Sequence, residues 1–170
     1  AKIDLEKLST PESFEEMRVR LESISLKISR HVFKYWKQNE ELSVVFEVNT
    51  DANDTPPYND GRNLYISVKN MRHGASVPFN LRSKGFVWFF SFLTWFGSVQ
   101  NRIGTDKDII LLLDEPGTSL HGLAQADFLG YINDLSDKHQ IIYTTHSPFM
   151  VNSDKMHQVR TVEDIKDKGT

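Results

Sequence analysis

The sequence predicts an α/β domain with a parallel sheet at its core. The run Ile109–Leu113 is too uniformly apolar for a half-exposed strand and too short for a helix. Gln140–Thr144 reads as another buried strand, and the apolar spacing of Leu123–Leu135 between them is typical of a helix. The order strand, helix, strand implies a right-handed parallel crossover. We expect the strand at 109–113 to be central, with both of its faces covered.

The composition is that of one globular domain. The chain has 170 residues, of which 39% are hydrophobic and 25% charged. It has no cysteine, which excludes disulfides and thiolate metal sites, and a net charge of −3, which argues against a uniformly basic nucleic-acid binder. Its apolar runs are too short to cross a membrane, and AKIDLEKLST does not resemble a secretory signal. We therefore expect a cytoplasmic protein with no membrane partner.

Residues 10–40 predict a long helix at the start of the chain. Thr10 suits the cap and Pro11 the first helical position, with glutamates in the first turn. One seam of side chains recurs at steps of four and three: Met17, Leu21, Ile24, Ile28, His31 and Tyr35. The pattern favours a core-facing stripe over a coiled-coil leg, because it is short for a coiled coil.

Two strands, Ser43–Val48 and Asn63–Val68, are predicted next, joined by a loop. A polar connector at 69–80 leads to an apolar helix from Ser83 to about Gln100, whose aromatic side chains we expect in the core. Met156–Val162 is a further strand candidate. These elements divide the chain into a long helix (1–42), a β-hairpin region (43–80) and an α/β part (81–170).

Polar residues with catalytic potential follow both buried strands. Asp114 and Glu115 come directly after the first, and Thr145 and His146 after the second. In an open parallel sheet, ligands bind outside the carboxyl ends of the strands. Nucleotide hydrolysis uses one carboxylate to help hold Mg²⁺, a second to orient the attacking water, and a hydrogen-bonding group near the γ-phosphate. Each feature alone has an ordinary structural explanation, whereas their combination at this spacing favours a catalytic site.

Three segments resemble a known class of ATPase. They are LLLDEPGTSLH at 111–121, THSPF at 145–149 and RSKGFVWFFSF at 82–92. They are similar to the Walker B strand with its D-loop, the H-loop and the signature helix of ABC-type ATPase heads. The match is best with the overcoming-lysogenization-defect (OLD) family of ATP-dependent nucleases and related prokaryotic AAA-family ATPases. The resemblance implies the C-terminal lobe of an ABC-type (P-loop NTPase) head.

The resemblance implies roles for the residues at the strand ends. Asp114 matches the Walker B aspartate, expected to bind Mg²⁺ through water. Glu115 matches the catalytic glutamate, and His146 matches the switch histidine. The implied cofactors are ATP and Mg²⁺.

A second group of residues is implied to act across a dimer of heads. Ser83 and Gly85 match the signature serine and glycine, which meet the nucleotide of the opposite subunit in ABC-type dimers. Lys84 stands where the common signature has glycine, and its ammonium group could attract phosphate or be solvated. Ser119 and His121 fall in the D-loop. There His121 departs from the aspartate of the broader ABC class and fits the OLD-like subgroup.

The phosphate-binding loop of such ATPases is not among these residues. None of the nine glycines stands in a GxxxxGK[ST] string, and no glutamine loop is identifiable. We therefore expect a C-terminal part of a head that needs the Walker A segment of the same protein and is inactive alone.

Three functions remain open from the sequence. The first is head dimerisation driven by Mg-ATP, with ATP hydrolysis, in an OLD-like, DNA-processing protein, whose nuclease would be a separate Toprim domain. The second is a non-catalytic dimerisation or DNA-docking module derived from such a head. The third is partner binding by the first helix, which carries Lys27, Arg30, Lys34 and Lys37.

Overall fold

The computed structural model describes residues 11–50, 52–104 and 107–165. Its helices are α1 (Pro11–Phe33), α2 (Lys84–Ile103) and α3 (Gly122–Ser136), and its strands are β1 (Leu42–Asn49), β2 (Asn63–Asn70), β3 (Ser76–Pro78), β4 (Ile110–Leu113) and β5 (Gln140–Tyr143). Short 3₁₀ helices span Phe79–Leu81, Pro148–Met150 and Ser153–Gln158. The predicted cap at Thr10 lies outside the described residues.

The strands form two separate sheets. β1, β2 and β3 pair in that order as an antiparallel sheet, with Val44 opposite Val68. β4 and β5 form a two-stranded parallel sheet, with Leu113 opposite Tyr143. Since α3 connects β4 to β5, the predicted strand–helix–strand crossover is confirmed.

Helix α1 is shorter than predicted, and its buried face coincides with the predicted seam only in part. It ends at Phe33 rather than near residue 40. The predicted seam is buried at Met17 and Leu21. It is half-buried at Ile24, Ile28 and Tyr35, whereas His31 is exposed. Beyond Leu21 the buried side chains are two serines, then one apolar residue of the helix and one just after it: Ser25, Ser29, Val32 and Trp36.

The two serines explain why the buried side chains differ from the predicted seam, because the hydroxyl of each accepts a hydrogen bond from the backbone of β1. The amide of Val44 donates to Ser29 Oγ at 2.8 Å, and the amide of Phe46 donates to Ser25 Oγ at 3.0 Å. Helix α1 thus satisfies backbone donors along the edge of β1 that does not pair with β2.

The main core is built around the aromatic face of α2. Phe86, Phe89, Leu93 and Phe96 are at most 1% exposed. The ring of Trp36 contacts Phe86 and Phe89 edge-on from the end of the α1 segment. One cluster of buried side chains includes residues of α1, the antiparallel sheet, α2, β4 and α3. The expectation that the aromatic helix is a core element is therefore confirmed for this face, whereas Trp95 is 53% exposed.

The parallel sheet differs from the prediction in its burial. Leu111 is 8% exposed and packs against the core, but Ile110 and Leu112 are 67% and 70% exposed. Ile142 on β5 is 55% exposed. The expectation that β4 is covered on both faces is wrong, because no described residue packs over the face that these three side chains form.

Two further predictions are corrected. The connector at 69–80 contains strand β3, where Ser76 to Pro78 pair with Ser67 to Lys69 of β2. The predicted strand Met156–Val162 is absent from the described residues, because 153–158 form a 3₁₀ helix and 159–162 follow without strand pairing. Among the described residues, no helix is long and apolar enough to span a membrane.

Candidate functional site

The carboxyl ends of β4 and β5 lie side by side. The pairing of Leu113 with Tyr143 brings both strands to their last residue at the same level. The amide of Thr144 continues the ladder by donating to the carbonyl of Leu113 at 3.0 Å. Asp114 and Glu115 leave β4 at this point, next to the segment that carries His146, as the sequence predicts.

Thr144 holds both carboxylate residues. Its hydroxyl donates to Oδ1 of Asp114 at 2.6 Å and accepts from the amide of Glu115 at 3.0 Å. A hydrogen bond to an ionised carboxylate is short and strong, so the Asp114 side chain is fixed in one orientation at the strand end. The second hydrogen bond fixes the backbone where the chain turns away from the sheet.

Glu115 has a left-handed backbone conformation. Its φ is +45°, a region that residues other than glycine adopt rarely and at a cost of about 1–3 kcal/mol. Gly117, with φ +77°, follows in the same turn. Such strain is common at active sites, where it aims a side chain that a relaxed strand would point elsewhere.

The turn aims Glu115 at the segment after β5. The amide of His146 donates to Oε2 of Glu115 at 3.3 Å, and Nε2 of His146 lies 3.4 Å from Oε1. The His146 side chain is 97% exposed and that of Glu115 is 32% exposed. A carboxylate and an imidazole therefore meet at the mouth of an open cleft of about 410 Å³. Its other lining residues include Thr118, Gln125 and Phe149.

Tyr143 anchors the segment that carries His146. Its hydroxyl donates to the carbonyl of Met150 at 2.6 Å, and burial raises its pKa. Met150 is fully buried. The loop from 144 to 149 is consequently held at both of its ends.

A second group of predicted residues gathers at the start of α2. Ser83 caps the helix, and its hydroxyl accepts from the amide of Phe86 at 3.3 Å. Ser83 and Lys84 are exposed. The carbonyl of Ser119 lies 2.8 Å from the position that a Cβ on Gly85 would occupy. The sequence therefore needs glycine at 85, since any other side chain would displace the loop that carries Ser119.

The seven predicted site residues thus form two groups. Asp114, Glu115 and His146 meet at the sheet edge, and Ser83, Lys84, Gly85 and Ser119 share one surface around the start of α2. His121, the residue before α3, is exposed and accepts the amide of Gln125 through its carbonyl. One loop, 114–121, contributes to both groups.

Sequence reasoning missed Thr144 and Gln125. The sequence predicts Thr144 only as the last residue of a strand. Two carboxylates at a neighbouring strand end are nevertheless a signal that a hydroxyl donor lies nearby. Gln125 stands among apolar residues of α3 and is 9% exposed. A polar residue at a core position of a helix is the signal that could have identified it.

The carboxylates suit a magnesium–nucleotide complex better than a metal bound by protein alone. Within the described ranges, no group of three or more His, Cys, Asp or Glu residues could hold an ion. Magnesium usually takes one or two carboxylates and fills its other positions with water and phosphate oxygens. The oriented carboxylate of Asp114 matches that requirement.

Comparison with known proteins identifies relatives of this chain. A family model described as an AAA ATPase domain matches residues 2–151. The uncharacterized protein MJECL43 of Methanocaldococcus jannaschii is 29% identical over 161 residues, which cover 90% of this chain and 38% of that protein. The chain therefore spans well under half the length of this curated relative.

Solved structures of SMC ATPases share the fold. An SMC head bound to the C-winged helix domain of ScpA aligns with a TM-score of 0.50 and 18% identity, covering 84% of this chain and 40% of that one. A structure from work on ATP-driven dimerization and DNA-stimulated activation of SMC ATPases aligns at 0.49 and 16%, covering 78% and 75%. The alignment with the ScpA-bound head shows that the fold is an α/β fold that resembles SMC ATPase heads.

Proposed function

This chain belongs to the AAA ATPase domain family, and on that premise we propose that it is the part of an ABC-type ATPase head that carries the water-activating carboxylate. The single observation that supports this most is the meeting of Asp114, Glu115 and His146 at one sheet edge. The Thr144 hydroxyl orients the Asp114 carboxylate, and the strained backbone at Glu115 costs free energy that an ordinary loop would not.

In this proposal each residue has one task. Asp114 binds Mg²⁺ through water, with its carboxylate held by Thr144. Glu115 accepts a hydrogen bond from, or takes the proton of, the attacking water, since it lines the open cleft. His146 donates a hydrogen bond at the γ-phosphate from the exposed rim of the cleft. The magnesium ion supplies charge neutralisation of the phosphates.

The second group would act on a second head. Ser83 and Lys84 are exposed at the start of α2, and the carbonyl of Ser119 lies against Gly85. Backbone amides at a helix N-terminus and the hydroxyl of Ser83 suit a phosphate group. We assign these residues, with Ser119, to the nucleotide of the opposite subunit in a homodimer of heads.

The nucleotide cradle would come from elsewhere in the same protein. No GxxxxGK[ST] string occurs in the 170 residues, and the relative from M. jannaschii is longer than this chain. The open apolar face formed by Ile110, Leu112 and Ile142 offers a surface that a Walker A lobe could cover. We further propose an OLD-like role in DNA processing, which depends on the resemblance of the motifs alone.

The proposal is tested by Glu115→Gln in the complete protein. The variant should bind ATP in the presence of Mg²⁺ with unchanged affinity but lose hydrolysis by about 10²-fold or more, because the amide cannot accept the proton of water. Asp137→Asn, a change at an exposed carboxylate beyond α3, is the matched control and should leave turnover unchanged.

Two outcomes would redirect the proposal. Unchanged turnover in Glu115→Gln would remove Glu115 from its role. Nucleotide-dependent dimerisation without any hydrolysis in the wild type would favour the alternative, a non-catalytic dimerisation or DNA-docking module. That alternative is supported only by the lack of a phosphate-binding loop in these residues.

A further inference from the structure

Gln125 links two loops from a position inside the core. It is 9% exposed and lies in the first turn of α3. Its side-chain oxygen accepts from the hydroxyl of Ser147 at 2.6 Å, and its side-chain nitrogen donates to the carbonyl of Gly117 at 3.1 Å. Both ends of the amide are used, so neither loop can move alone without leaving a buried polar group unpaired.

The first of these loops leads to the surface assigned to a second head. The carbonyl of Gly117 also accepts the amide of Leu120 at 2.8 Å, which closes the turn that presents Ser119. The side chain of Leu120 lies 3.2 Å from a Cβ built on Gly117. A displacement of Ser119 by a docked protein would therefore move the carbonyl of Gly117, which accepts the hydrogen bond from Gln125.

The second loop leads to the proposed catalytic pair. Ser147 follows His146, whose amide donates to Glu115. The oxygen of Ser147 also accepts the amide of Phe149 at 3.3 Å, so its position sets the course of the loop around His146. A shift of Ser147 therefore changes the distance between His146 and Glu115.

We propose that Gln125 is a positioning residue that couples the Ser119 loop to the His146 loop. Docking of a second head against Ser119 would then be transmitted through the Gly117 carbonyl, the Gln125 amide and the Ser147 hydroxyl to the pair that handles water and γ-phosphate. The inference depends on the proposed function for the meaning of the two ends. Gln125 itself touches no reacting group.

A double-mutant cycle in the complete protein tests this coupling. Gln125→Met removes both hydrogen bonds at similar volume, and Ser119→Ala removes the hydroxyl presented to the second head. We expect each single change to lower kcat on the order of tenfold, and Gln125→Met to leave ATP affinity unchanged. Ser119→Ala should have no further effect in the Gln125→Met background, because the path is already cut.

A merely structural role predicts a different result. If Gln125 only stabilises α3, the two effects on kcat multiply, and kcat falls in step with thermal stability. Either finding would overturn the proposal. Gln140→Met, at an exposed glutamine of β5, is the control and should leave the cycle unchanged.

Hydrogen exchange keeps the inference testable if the wild-type protein hydrolyses no ATP. The absence of hydrolysis would contradict the proposed function, but the coupling between the two loops would still be measurable. Gln125→Met should then speed exchange at the amides of Leu120, Phe149 and Met150 together. Faster exchange in one loop only, or in neither, would refute the coupling.

Discussion

The two sheets of this chain differ in how completely the chain itself covers them. In the antiparallel sheet, Val44 and Val68 are 0% and 1% exposed, and the hydroxyls of Ser25 and Ser29 bind the free edge of β1. In the parallel pair, Leu112 alternates with buried Leu111 and is 70% exposed. The predicted catalytic residues are carried by the less covered sheet, which is the sheet that the proposed Walker A lobe would cover.

The largest expected effect comes from two neighbouring residues of β4. Leu111→Ala should lower the free energy of unfolding by about 2–4 kcal/mol, because it leaves a cavity in the core. Leu112→Ala should lower it by less than about 0.5 kcal/mol, because that side chain is already in water. Denaturant unfolding of both variants measures the difference. Equal losses would mean that the Leu112 face is covered, and the contrast between the sheets would fail.

Ser29→Ala tests the covered edge of the antiparallel sheet. Removal of the hydroxyl leaves the amide of Val44 without its partner in a buried position, at a cost of about 1–3 kcal/mol. Ser23→Ala, at an exposed serine of the same helix, should change the free energy of unfolding by only a few tenths of a kcal/mol. A similar value for both serines would show that α1 does not hold the edge.

Two glycines of α2 should respond in opposite directions. Gly85→Ala places a Cβ against the carbonyl of Ser119 and should lower stability by about 1 kcal/mol or more. Gly97→Ala meets nothing within 4 Å and should raise stability by about 0.5–1 kcal/mol, because alanine favours the helix. Thermal melts of both variants check the signs. A stabilising effect of Gly85→Ala would show that the start of α2 does not pack closely against the loop after β4.

The smallest effect is expected at a surface link between α3 and the segment after α1. Hydrogen bonds from Lys34 and Tyr35 lower the pKa of Asp134. A lowered carboxyl pKa stabilises the fold above the ordinary carboxyl range, and this contribution disappears as the pH falls through the folded-state pKa. Melting temperatures of the wild type and Asp134→Asn should therefore differ slightly at neutral pH and converge in acid.

The effect at Asp134 is small because water screens the pair. The side chains of Lys34 and Asp134 are 61% and 52% exposed. Ser136→Ala, at an exposed residue of α3 that does not titrate, is the control and should differ from the wild type by the same amount at neutral pH and in acid. A difference that persists in acid would point to packing rather than charge.

The sheet edge could be predicted because it follows from chain order. The carboxyl ends of two parallel strands joined by a helix meet at the same edge, so Asp114, Glu115 and His146 are brought together by topology. The helices α2 and α3 could be predicted equally well, because their apolar spacing is sustained over many residues. Helix α2 begins one residue after the predicted start at Ser83, because Ser83 is its cap.

Other features depend on neighbours that the sequence does not name. The bare face at Ile110 and Leu112 could not be predicted, because apolar strands look alike whether or not another layer of the same chain covers them. The buried line through Ser25 and Ser29 was missed because serine is usually exposed, and only the edge of β1 makes its hydroxyl useful there. Thr144 escaped notice because its role depends on a residue of the neighbouring strand.

The left-handed backbone at Glu115 lowers the stability of the fold, while the side chain at this position supplies the carboxylate that the proposed function requires. Glycine would adopt φ +45° without steric cost, so Glu115→Gly is expected to relieve the turn while it deletes the carboxylate. Under the proposed function, directed selection for heat resistance alone would therefore enrich an inactive protein at this position. Engineering of this domain should retain the acid and seek its gains in places such as Gly97.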